Sequence, residues 1–67
     1  MPEFQVALNN APRLRVMALS AIDAVEMVAL TFRKARLGVA IDPSGRVSSY
    51  TIDRAGTARL LEEEPED

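Results

Sequence analysis

The sequence predicts an α+β fold in the order β-β-α-β-β-β, an antiparallel sheet with one helix packed on one face. Three observations carry that expectation. Apolar and polar residues alternate in "FQVAL" and "LRVMAL"; apolar residues recur at helical spacing between Ser20 and Ala35; and Ile-Asp-x-x-Gly is written twice, in "IDPSGRV" and "IDRAGTA".

The first two strands form a hairpin around the turn-rich "NNAPR". If residues 9–13 make the connection, Leu8 faces Leu14, Val6 faces Val16 and Phe4 faces Ala18, which puts the strong apolar residues of the first strand on one side. Ser20 then opens the helix, because Ser-x-x-Asp is a variant capping box in which the Ser20 hydroxyl and the Asp23 carboxylate take up free N–H groups. Leu19 and Ala24 stand where a small hydrophobic staple would. Placed at 100° intervals, Ile22, Val25, Val28, Ala29 and Phe32 share an arc with Ala24 and Ala35, and Asp23, Glu26, Arg33 and Lys34 lie opposite. Acids near the start, with Arg33, Lys34 and Arg36 near the end, suit the helix dipole. Gly38 is expected to close the helix in the left-handed conformation. Met27 and Leu30 break the pattern by falling among the charged positions, the first sign of a second contact surface.

Beyond Gly38, "VAID", "RVSSYTI" and "TARLL" read as three strands joined by the two Asp-x-x-Gly phrases. Each phrase has the residues of a type I turn followed by a glycine with positive φ, which closes a three-residue hairpin loop. Asp42 would then face Arg46, Ile41 face Val47 and Gly38 face Tyr50; next, Asp53 would face Thr57, Ile52 face Ala58 and Tyr50 face Leu60. Val39, Ile41, Val47 and Leu61 fall on one sheet face, with Tyr50, Ile52, Ala58 and Leu60 on the other. The expected strand order is 2-1-3-4-5, leaving strands two and five as edges. One helix cannot cover two apolar faces, so a homodimer is expected, paired face to face or edge to edge.

Composition narrows the class. The 67 residues are 48% apolar and 27% charged, which suits one small domain with a marginal core. Without cysteine or histidine, neither disulfides nor a soft-ligand metal can reinforce it, and oligomerisation is the remaining route. The boundaries expected are a domain over residues 1–61 and a disordered acidic tail over 62–67. The body carries eight basic and five acidic groups, and the tail holds the other five acids. No run approaches the roughly 20 apolar residues of a membrane span and no basic, apolar leader opens the chain, so a cytoplasmic location and no membrane partner are expected. Seven arginines against one lysine suggest a bacterial or phage genome rich in GC.

The side chains offer little for catalysis. The usual neutral-pH base and the best nucleophile are missing. Asp23 and Glu26 are explained by helix capping and dipole, and Asp42 and Asp53 by their turns, since neither phrase has the alternating oxygen ligands of a calcium loop. The three glycines make no phosphate loop, and no cofactor or metal is expected. The reading is a non-enzymatic interaction protein of regulator or inhibitor type. It would bind another macromolecule through a sheet edge or through the helix surface of Met27, Leu30, Glu26, Arg33 and Lys34. The alternative is nucleic-acid binding by Arg13, Arg15, Arg33, Lys34 and Arg36, against which stand an acidic pI and one tyrosine as the sole stacking platform on the sheet.

Overall fold

In the computed structural model, which describes residues 1–64, strands β1 (Glu3–Leu8) and β2 (Leu14–Met17) precede helix α1 (Ala21–Ala29). Strands β3 (Leu37–Ile41), β4 (Val47–Ile52) and β5 (Ala58–Glu64) follow it. All neighbours are antiparallel and the order is β2-β1-β3-β4-β5, as the pattern predicts. The helix lies across one face and touches every strand. It is too short and polar to cross a membrane, and among the described residues no other helix could.

Both Asp-x-x-Gly phrases are turns, built alike. The Asp42 N–H donates to the Arg46 carbonyl, and the Gly45 N–H to the Asp42 carbonyl; Asp53, Thr57 and Gly56 repeat the arrangement at the same distances of 3.1 and 3.0 Å. Each aspartate also accepts from the loop it opens. Asp42 Oδ1 takes the N–H groups of Ser44 and Arg46 and the Ser44 hydroxyl, and Asp53 Oδ1 takes those of Ala55 and Thr57. Gly45 and Gly56 have φ of 94° and 87°, where an L side chain is strained. The pairings Ile41–Val47, Gly38–Tyr50, Ile52–Ala58 and Tyr50–Leu60 all occur. Beyond Leu60 the register slips by one, setting Glu62 rather than Leu61 against Ser49.

The first hairpin differs from expectation by two residues. Val6 pairs with Leu14 and Phe4 with Val16, so the faces are preserved but the connection is longer. Its cause lies elsewhere in the chain: Asn9 Oδ1 accepts from the N–H groups of Arg36 and Leu37, and the Asn9 N–H donates to the Leu37 carbonyl. The end of β1 is thereby committed to β3 and drawn away from β2.

The helix also ends earlier than the apolar arc implies. Leu30 is its C-cap, and both Thr31 and Phe32 donate to the Val28 carbonyl, tightening the chain into turns. Arg33, Lys34 and Arg36 therefore lie outside the helix and do not complement its dipole. Ala35 is nonetheless buried and Phe32 packs on the core, so the arc serves the core beyond the helix. At the other end Ser20 Oγ accepts from the Asp23 N–H at 3.3 Å, half of the expected capping box. No staple forms, because Leu19 is 77% exposed while Ala24 is buried.

Gly38 is not a helix terminator. It lies in β3 without positive φ, and a Cβ there would meet Leu8 Cδ2 at 2.8 Å and Val25 Cγ1 at 3.2 Å. The glycine lets the helix settle onto the sheet. Beneath it the core gathers Phe4, Val6, Leu8, Ala40, Tyr50 and Ile52 from the sheet and Ala24, Val25, Val28 and Ala29 from the helix. The other sheet face, with Leu37, Val39, Ile41 and Val47, is bare. Strand β5 runs through Glu64, three residues into the expected tail; the remainder of that tail, residues 65–67, lies outside the described residues.

Two outcomes are expected. Gly38→Ala forces Leu8 and the stiff Val25 apart and lowers the unfolding free energy by about 1–3 kcal/mol in urea titrations; an unchanged midpoint would show that the close approach is no constraint. The Asp42 carboxyl is held below its ordinary value of 3.8, chiefly by the Ser44 hydroxyl and then by the N–H groups of Arg46 and Ser44, which outweigh partial desolvation. Its contribution is therefore complete above the unfolded value and lost as pH falls through the lower folded one. The stability gap between wild type and Asp42→Ala should narrow in acid; a gap constant from neutral pH to well below 3.8 would contradict this.

Candidate functional site

The flank of α1 turned away from the core carries a largely apolar surface feature. Met27 and Leu30 are 49% and 59% exposed, as their position among charged residues implies. They are joined by Met17, Ala18 and Leu19 from the segment entering the helix, by Met1, and by the Ala55-Gly56-Thr57 turn between β4 and β5. Together these line an open groove of about 680 Å³. All three methionines of the chain are on it.

The charges along the groove are sorted. Asp23 and Glu26 stand in its main part. Past Leu30 it adjoins a much smaller recess between Ala29 and the same turn, flanked by Arg33 and Arg54. In chain order Asp23, near the start of α1, and Arg33, beyond its end, thus stand on either side of the apolar Met27 and Leu30. The sole ion pair among the described residues is Arg46 with Glu63, which is exposed and involves none of these four charges.

Glu26 is also part of the scaffold. Its Oε2 accepts the Ala58 N–H at 2.8 Å, tying the middle of the helix to the first residue of β5. This bond holds the Ala55–Thr57 turn against the helix and so gives the groove its second wall. Charge-assisted bonds of this kind are short and stronger than neutral ones.

Of the residues expected at a partner surface, Met27, Leu30 and Glu26 are brought together and Arg33 lies at the adjoining recess, whereas Lys34 does not line either. Sequence periodicity finds the helix residues but misses Met1, Met17, Leu19 and the turn, which tertiary packing supplies. Met17 alone left a trace, an apolar residue on the outward phase of β2.

The arginines of the nucleic-acid alternative are dispersed over the two layers. Arg15 pairs with Gln5 on the bare sheet face, and Arg13 donates to Gln5 Oε1 at 3.2 Å. Arg33 lies on the helix layer. Arg36 is folded back, its Nη1 donating to the Arg33 and Ala35 carbonyls at 2.9 and 2.8 Å. Among the described residues no group of three or more aspartate, glutamate, histidine or cysteine side chains is placed to hold a metal ion.

The sheet edges are poor templates for strand addition. β2 has only four residues, and β5 carries the register slip and the charged Glu62 and Glu63, features that discourage a further strand. No family model, curated protein or solved structure matches the chain.

Glu26→Ala should destabilise the fold by about 1–3 kcal/mol, since it leaves the N–H of buried Ala58 unpaired, and should loosen the groove wall. Amide hydrogen exchange at Ala58 is the direct readout. Protection equal to wild type would refute the tether.

Proposed function

We propose that the chain is a non-enzymatic interaction protein, of regulator or inhibitor type, that binds another macromolecule through the groove beside α1. The observation that carries this reading is the gathering of Met1, Met17, Leu19, Met27 and Leu30, each about half exposed or more, on one concave surface. Contiguous apolar patches are uncommon on monomers and mark contact sites. Methionine suits the task, because its unbranched, polarizable side chain adapts to different partner shapes. Charges beside the apolar residues would set orientation more than affinity. The helix surface is favoured over the sheet edges, whose length and charge oppose strand pairing.

The test is capture from a lysate of the source organism by immobilised chain, with Met27→Glu plus Leu30→Glu as the control. The wild type should retain a partner that the variant loses, by tenfold or more in recovered amount. A variant that keeps wild-type circular dichroism and still captures every partner would sink this reading. In parallel, a generic duplex and a single strand are titrated across a salt series. No binding is expected at low salt, whereas binding that falls steeply with salt would favour the nucleic-acid alternative.

A further inference from the structure

The groove presents an order of side chains that is its own complement. Along α1 and the turn after it stand Asp23, Met27, Leu30 and Arg33: an acid, two apolar groups and a base. Turned end for end against a second copy, the same series sets Asp23 opposite the partner's Arg33 and Met27 opposite the partner's Leu30. In chain order both pairings are centred within one residue of Val28, whose own side chain faces the core, so one two-fold relation serves both. Arg54 flanks the recess beside Arg33, whereas Glu26 is committed to the Ala58 N–H within its own copy. A parallel arrangement would set carboxylates on carboxylates and is opposed by the same charges.

We infer that a second copy of this chain occupies the groove, forming a two-fold dimer with the α1 helices antiparallel and Met27 and Leu30 at its centre. This rests on the reading of the groove as a contact surface and names its first occupant. An isologous interface requires one patch to be complementary to itself, and this sorting of charge meets that requirement. The interface also protects side chains that a domain with so thin a core leaves in water: Leu19 and Leu30 are 77% and 59% exposed. Neither bare sheet face nor sheet edge is used, in contrast to the face-to-face or edge pairing expected from the strand pattern alone. Because dimerisation covers the groove, any other partner competes with self-association, and the chain's own concentration regulates how much groove is free.

Sedimentation equilibrium of the full chain, to about 100 µM, a concentration that populates a dimer of micromolar affinity, should show a species of twice 7.3 kDa. Asp23→Arg and Arg33→Asp each turn two attractive contacts into repulsive ones and should weaken the dimer about tenfold, as expected for exposed pairs counted twice. Mixing the two variants should restore it, because each introduced charge then meets an opposite one. A monomer throughout this range overturns the inference. So does a dimer whose affinity is unchanged in both variants, with circular dichroism confirming their fold. Partner capture by a strictly monomeric chain would leave the contact surface standing and remove the self-pairing alone.

Discussion

The close approach of α1 to β3 at Gly38 governs the rest of the molecule. A Cβ at that position would press on Leu8 Cδ2 in the neighbouring strand at 2.8 Å and on Val25 Cγ1 of the helix at 3.2 Å, so its absence lets the helix lie close to the sheet. The core around it is correspondingly thin. Six of its thirteen buried apolar residues are alanines, and the larger ones are Phe4, Leu8, Tyr50, Ile52 and the three valines Val6, Val25 and Val28. Fully burying a valine contributes about 1.5–3 kcal/mol, so few residues of this size leave a narrow margin against chain entropy. The helix is held low and has nine residues, too few to hide both its own outer flank and the sheet's ends. Exposed Met27, Leu30 and Leu60 follow from the same geometry that makes Ala24 and Val25 fit.

Much of this was legible because it is local. The twin turns are written in residues no more than four apart, and the hydrogen bonds of Asp42 and Asp53 close within them. Their registers follow directly, as do the strand order and the helix-facing side of β4. What resisted reading was made by distant partners. The first hairpin shifts by two because Asn9 bonds to residues 27 and 28 positions later. The helix stops at Ala29 without a glycine, by tightened bonds onto Val28, and Gly38 has a steric role that its phrase in the sequence resembles a cap too closely to reveal. In the candidate site the helical period exposes Met27 and Leu30, but nothing local foretells that Met1 and the Ala55–Thr57 turn stand beside them.

The two turns also show how one motif acquires two fates. The bonds from their backbone N–H groups match, yet the Asp42 turn stands apart while the Asp53 turn walls the groove, tied there by the bond from Ala58 to Glu26. The difference lies in position along the sheet and not in turn chemistry. Thr57 and Ala55 thus line the groove, whereas Ser44 and Pro43 reverse the chain away from it. A site search by motif would rank them alike.

The distribution of sulfur has its own consequence. Every sulfur atom of the chain belongs to Met1, Met17 or Met27, and none is in the core. Conversion of a thioether to a sulfoxide replaces an apolar group with a polar one. Here an oxidant would rewrite the groove while leaving the packing between helix and sheet untouched, and a methionine sulfoxide reductase would find all its substrates on one open surface.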